Sequence, residues 1–257
     1  MKWFQRLAPA LALVLCAPAL AQARERLDTG DIAVEVVTDY GRNYPQYPVE
    51  RDRRVYRAYL EARENDEYGV RIYNRSRYRI GVVVAVDGRN IISGERSELQ
   101  PSERMYILGP HESALYNGWR TGKNQVNRFY FTEAGDSYSA AWGDYSAMGV
   151  IAVAAFKERV PVYEPRPDQD LSRRSDKRAA PGARAEPGTG FGEEEYSPSR
   201  QVEFLAEDRA FARYFLKYEW REGLCEKNVI RCHREHEREP DNRFWNDDRY
   251  APPPPRR

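Results

Sequence analysis

Histidine, cysteine and methionine are scarce in this chain of 257 residues, with three of each, and each scarcity removes a class of chemistry. With histidines only at His111, His233 and His236, a Ser-His-Asp triad has few places to form, and no Gly-x-Ser-x-Gly elbow occurs in the chain. Charge of one sign is missing too, since 41 Lys and Arg stand against 40 Asp and Glu. With so little net field and no concentrated basic face, nucleic acid is not expected as a partner. Apart from the N-terminus, no segment approaches the roughly 20 consecutive apolar residues that span a bilayer, so no membrane helix is expected once the N-terminus is removed.

That N-terminus reads "MKWFQRLAPALALVLCAPALAQA". Lys2 and Arg6 precede an apolar run from Leu7 to Leu20, and Ala21-Gln22-Ala23 supplies small residues for cleavage. The pattern predicts a secretory signal peptide over 1–23, hence a periplasmic or secreted protein. An uncleaved anchor is the rival reading. Acylation at Cys16 is disfavoured because Leu15, not a small residue, precedes it.

From Asp31 to Phe156 the apolar period is mostly two, the signature of strands. Strands are expected over Ile32–Val37, Val55–Ala62, Tyr68–Asn74, Arg79–Val86, Arg104–Leu108, Ser113–Asn117, Val126–Glu133 and Gly149–Glu158. Asn65-Asp66 reads as the turn of a hairpin joining the second and third of these. "RIGVVVAV" is apolar on both faces, as in a central buried strand, and Asp87-Gly88 suits the tight turn that ends it. A Pro/Arg-rich stretch over 160–187 cannot bury enough surface to offset its ordering and reads as a flexible linker. Strand patterns resume at Arg200–Ala206 and Phe211–Trp220. Two lone strands are marginal, so both are expected to return to the first sheet, and 188–232 is read as belonging with 24–159. The tail 233–257 is polar, Pro-rich and expected to be disordered. The fold class is therefore all-β, a sandwich-like antiparallel domain.

Several segments in order, "RIYNRS", "VDGRNIISGE", "YILGP", "GWR", "FYFT", "SYSA", "GVIAVAAF" and "GTGFGEEEYS", resemble a family of exported β-rich proteins of Gram-negative bacteria. The resemblance covers roughly residues 55–158 and 188–231. It implies a single β-rich domain interrupted by a variable linker, and it implies no activity. Phe191 stands where the family's glycine-rich segment carries histidine, so a metal or catalytic role for that position is not carried over to this chain.

The candidate sites are few. "GTGFGEEE" has the glycines of an anion cradle, but Glu193, Glu194 and Glu195 would repel a phosphate, which favours a turn. Asp87, Asn90 and Glu95 are oxygen donors without the alternate-residue spacing of calcium loops. The loop Asp87, Gly88, Arg89 and Asn90 is expected to face solvent and to bind a partner. Tyrosine is abundant, with eight between Tyr40 and Tyr78; sheet-forming core is the first reading and a ring-rich face for protein or glycan the second. "NYPQYP" reads as an extended segment or partner contact.

Cys225 and Cys232 remain after signal removal. A disulfide is the favoured reading in an oxidising compartment; free thiols, or a metal held with His233 and His236, are the alternatives. On one continuous helix the two sulfurs would sit about 10 Å apart, so a disulfide needs a bend between them. The functional expectation is a non-enzymatic envelope or secreted domain for binding or structure, with an envelope protein or glycan as partner and no cofactor. An envelope-directed hydrolase and a metal-binding periplasmic protein are the alternatives.

Overall fold

The computed structural model describes residues 30–52, 54–159 and 186–232. The stretches read from sequence as a signal peptide (1–23), a tail (233–257) and, but for its last two residues, a linker (160–187) lie outside these. Among the described residues the chain forms, in order, β1 (Ile32–Thr38), β2 (Gln46–Arg51), β3 (Val55–Glu61), β4 (Glu67–Asn74), β5 (Ile80–Val86), β6 (Arg89–Asn90), β7 (Tyr106–Leu108), β8 (Ser113–Tyr116), β9 (Gly118–Gly122), β10 (Gln125–Glu133), α1 (Tyr138–Ala141), β11 (Val150–Lys157), β12 (Pro187–Thr189), β13 (Glu194–Tyr196), β14 (Ala212–Glu219) and α2 (Arg221–Glu226).

These strands build two sheets. The first runs β1-β4-β10-β12, with β8 beside β4 and β9 and β13 beside β10; the second runs β2-β3-β14-β11-β5-β6, with β7 beside β5. Period-two alternation sends Ile32, Val34 and Val36 of β1, and Tyr68, Val70 and Ile72 of β4, into the same core as Tyr56, Ala58 and Leu60 of β3 and Tyr214, Leu216 and Tyr218 of β14. Each large side chain buried this way contributes about 1.5–3 kcal/mol before entropy is charged against it. The fold is the all-β sandwich that the alternation predicts. Tyr56, Tyr68, Tyr214 and Tyr218 are all fully buried, so much of the tyrosine excess is core. One of these hydroxyls crosses between the sheets, Tyr214 donating to the Ile32 carbonyl at 2.7 Å.

Strand β5 is buried on both faces, as its composition predicts. Ile80, Val82, Val84 and Val86 join the main core, while Val83 joins Ala154 and Phe156 in a second cluster roofed by Leu99, Met105, Ala206 and Ala210. Strand β14 takes a central place between β3 and β11, so the segment after the linker belongs to this sandwich.

Three expectations need correction. The expected hairpin of β3 and β4 does not form, because the strands lie in opposite sheets and Asn65, at φ 63°, turns the chain across the sandwich. Each strand has one apolar face, and facing each other across one core satisfies both. The sheets are not wholly antiparallel, since β14 runs parallel to β3 from Arg213↔Val55 to Glu219↔Glu61. Arg200–Ala206 is not a strand: its one ladder contact is an isolated bridge from Ala206 to Glu158, and Phe204 lies against Gly81 on the outer face of β5. Its alternation serves to cover the second cluster. The segment "NYPQYP" is extended, as expected, and its last three residues lie in β2, which pairs antiparallel to β3.

The cysteines are joined, Cys225 to Cys232, with Cα atoms 5.6 Å apart. Helix α2 stops at Glu226, and Asn228 takes a left-handed φ of 54°, the bend that a continuous helix would lack. The Asn228 N–H bonds the Cys225 carbonyl and the Val229 N–H the Leu224 carbonyl, which closes the reversal. Closing so short a loop stabilises by about 2.5 kcal/mol in the chain-entropy account.

Candidate functional site

The turn after β5 is where sequence and structure part most usefully. Asp87 and Gly88 take φ values of 49° and 80°, as a tight turn between β5 and β6 demands. The expected solvent-facing loop is only half realised, because Asp87 and Asn90 are buried while Gly88 and Arg89 are partly exposed. Asn90 is consumed locally: its amide donates to the Arg104 carbonyl and Glu103, and its side-chain oxygen accepts from the Ile92 and Ser93 N–H groups. With Asp87 and Asn90 so engaged and Glu95 exposed, the three do not form a calcium site.

Asp87 joins four elements. Its Oδ1 accepts from the Gly149 N–H at 2.7 Å and from the Tyr218 hydroxyl at 2.5 Å, and its Oδ2 accepts from the Thr189 N–H at 2.7 Å. The chain of hydroxyls continues, Thr189 Oγ1 lying 2.7 Å from both Tyr218 and Tyr68. When Asp87 is ionised its carboxylate only accepts, so the run is ordered from that end: Tyr218 donates to Asp87, Thr189 to Tyr218 and Tyr68 to Thr189. Main-chain bonds complete the knot, with the Asp87 N–H on the Val150 carbonyl and the Ser139 hydroxyl on the Asp87 carbonyl at 2.9 Å.

Burial pushes the Asp87 carboxyl up to about 6, against the opposing pull of the Tyr218 hydroxyl, the Thr189 and Gly149 N–H groups and the Lys217 charge. Burial likewise holds the Tyr68 and Tyr218 hydroxyls well above their ordinary range. The folded state therefore holds the Asp87 proton more tightly than the unfolded chain. Its stabilising contribution is complete below about pH 3.8 and is lost as pH rises through about 6. Against an Asp87→Asn variant, the wild type is expected to lose about 3 kcal/mol across that window, read from urea unfolding at successive pH values. A wild-type-minus-variant difference that stays flat would contradict this. Asp87 shows no exposed surface, and Thr189 and Tyr218 show none either, so this carboxyl works as an internal anchor.

Directly above the anchor lies a surface of rings. Trp119 on β9 is buried and donates its indole N–H to the Gly190 carbonyl at 3.0 Å. Tyr138 of α1 rests on Trp119 with centroids 4.4 Å apart, and Phe191 stacks on Tyr138 at 5.5 Å and 19°. Trp142, at the C-terminal end of α1, stands at 71° to Tyr138 with centroids 6.3 Å apart. The Arg89 guanidinium lies 5.3 Å from the Trp142 ring centre and is tied to the Gly94 carbonyl at 2.7 Å. Trp142 is 63 % exposed and Phe191 44 %, an apolar surface of the kind that marks a contact site.

Each ring has a local cause. The Ser137 side chain accepts from the Ala140 N–H and so starts the one-turn helix that projects Tyr138 and Trp142. The Gly190 and Gly192 N–H groups bond the Tyr130 and Arg128 carbonyls, so the glycine-rich segment hugs β10 and has no convergent amides for an anion. A Cβ on Gly190 would lie 2.1 Å from the Tyr130 ring, which is why the segment is glycine-rich and why Phe191 turns outward. Asp87 underlies both sides: its carboxylate holds Thr189, two residues before Phe191, and its carbonyl holds Ser139, between Tyr138 and Trp142.

Elsewhere the described residues offer less. An open depression of about 390 Å³ is lined by Tyr47, Pro48, Val49, Asn228 and Val229, with no carboxylate or histidine in its wall. No three His, Cys, Asp or Glu side chains among the described residues group as metal ligands. With both sulfurs oxidised, Cys225 and Cys232 are not thiolate ligands, so a metal shared with His233 and His236 loses half its donors; those histidines lie outside the described residues. His111 sits in an exposed turn at φ 58°. No helix among the described residues is long and apolar enough to cross a membrane.

Fold and site together define a class, an all-β sandwich that mounts exposed rings over a buried carboxylate clamp. Comparison of the chain with protein-family models, with curated proteins and with solved structures found no match in any of the three.

Proposed function

We propose that this protein is an exported domain of the cell envelope that binds rather than catalyses, and that it binds through the surface of Trp142, Phe191 and Tyr138. The observation that carries the reading is the combination of exposure and rigidity. Two large rings face solvent while packing on Tyr138, which itself rests on Trp119, and their segments are tied to Asp87, whose carboxylate is buried. Rings held in place before contact lose little side-chain entropy on binding, which is how a small patch comes to dominate an interface. Export is supported by the N-terminal signal pattern and by the Cys225–Cys232 disulfide, a bond that persists in oxidising compartments. The partner is a component of the envelope, protein or glycan.

The test is co-sedimentation of purified protein with isolated envelope material. Wild type is expected to sediment, and a Trp142→Ala, Phe191→Ala double variant to lose about 90 % or more of that binding with its unfolding midpoint unchanged. Equal sedimentation of the two proteins, or none by wild type, would overturn the reading.

A further inference from the structure

We propose that the ligand of this surface is a saccharide chain, taken with the C–H face of its pyranose rings against Phe191 and Trp142. This rests on the reading of the surface as a binding site and adds the chemistry of what binds. An aromatic ring carries negative charge on its face, and a pyranose presents on each side a cluster of polarised C–H bonds. The two fit face to face over about the area of one six-membered ring. Hydroxyls at the sugar's rim then seek donors and acceptors set around the rings.

The structure supplies those groups in that place. Arg89, partly exposed, holds its guanidinium against the Trp142 ring, with Nη1 tied to the Gly94 carbonyl. Asp144, two residues beyond Trp142, is held ionised: burial pushes its carboxyl up, but the Ser146 hydroxyl and N–H and the charges of Arg96 and Arg89 together leave it below the ordinary carboxylate range. Cation and carboxylate interleaved with exposed rings suit hydroxyl groups, which both donate and accept. They do not suit the apolar centre of a protein interface, where charge is depleted.

Ring orientation narrows the class further. Phe191 lies nearly parallel to Tyr138, whereas Trp142 stands at 71° to it, so the two exposed rings are far from coplanar. A flat crystalline polysaccharide needs coplanar rings. A single chain, whose successive units turn their faces in different directions, can meet one ring with each of two units.

Calorimetric titration with cellohexaose, chitohexaose and maltohexaose tests this, paired with the indole N–H resonance of Trp142 assigned by its loss in Trp142→Phe. At least one hexaose is expected to titrate saturably, to shift that resonance, and to bind about tenfold more weakly to Trp142→Ala and to Phe191→Ala. Val49→Ser, in the distant depression, is expected to bind as wild type does. If none of the three hexaoses titrates up to millimolar concentration, the saccharide assignment falls. In that case loss of envelope sedimentation in the double variant would still uphold the binding surface, and protease treatment of the envelope material that abolishes sedimentation would identify a protein partner. Hexaose binding left intact in both ring variants would likewise overturn the assignment.

Discussion

Asp87→Ala is expected to destabilise the protein by about 4 kcal/mol at pH 5. At that pH the Asp87 carboxyl, raised to about 6, is mostly protonated, so its removal relieves little cost of charge burial and what is measured is the loss of its bonds. The Gly149 and Thr189 N–H groups lose their acceptor inside the protein, each at roughly 1–3 kcal/mol, and Tyr218 loses the acceptor that orders its hydroxyl. Alanine also tolerates a φ of 49° less well than aspartate does. A loss of this size is a large fraction of the 5–15 kcal/mol that holds a typical domain together. Asp87→Asn, which keeps the shape and one acceptor, is expected to cost clearly less. Denaturant unfolding measures both, and an alanine variant within about 1 kcal/mol of wild type would show that Asp87 is not the clamp. The clamp also bears on binding, because Thr189 leads to Phe191; where Asp87→Ala remains folded it should bind envelope material more weakly than Val49→Ser.

Much of the sandwich was legible from alternation alone, since Ile32–Thr38, Val55–Glu61, Glu67–Asn74, Ile80–Val86, Gln125–Glu133, Val150–Lys157 and Ala212–Glu219 all stand where the period of two places strands. Which strands pair was less legible. A turn such as Asn65-Asp66 looks the same whether it closes a hairpin or carries the chain to the facing sheet, and the parallel pairing of β14 with β3 joins segments far apart in sequence. The tight turn at Asp87-Gly88 was local and could be read. The clamp was not, because the donors to Asp87 lie 62, 102 and 131 residues away. A loop aspartate reads as exposed until the fold brings its partners in. The ring surface left a faint trace in Ser137, whose capping position precedes Tyr138 and Trp142, and in Phe191, a large apolar residue among glycines that no core explains. The disulfide could be argued from compartment and cysteine count, and its one geometric requirement, a bend, is met at Asn228.

Gly118→Ala is expected to cost about 3 kcal/mol or more and to lower the unfolding midpoint by about 6–12 °C. The reason is contact between backbones. A Cβ at Gly118 would lie 2.1 Å from the Asn127 carbonyl oxygen and 2.6 Å from its carbon, and both belong to the paired strand β10. A side-chain neighbour could rotate aside, but a strand that pairs with β4, β9, β12 and β13 at once cannot move without disturbing all four. The contrasting site is Gly122 at the other end of β9, where the nearest atom is the far end of the Gln125 side chain at 3.0 Å. Gly122→Ala should therefore change stability by less than about 1 kcal/mol. The next residue after Gly118 is Trp119, which supports Tyr138 and donates to the Gly190 carbonyl. Pushing β9 off β10 moves the floor of the ring surface as well as weakening the sheet. Thermal unfolding and saccharide titration of the two variants should thus move together, both altered in Gly118→Ala and neither in Gly122→Ala. A stable Gly118→Ala protein would mean that β9 and β10 can part to admit a methyl group, and a destabilised one with unchanged ligand affinity would detach Trp119 from the binding surface.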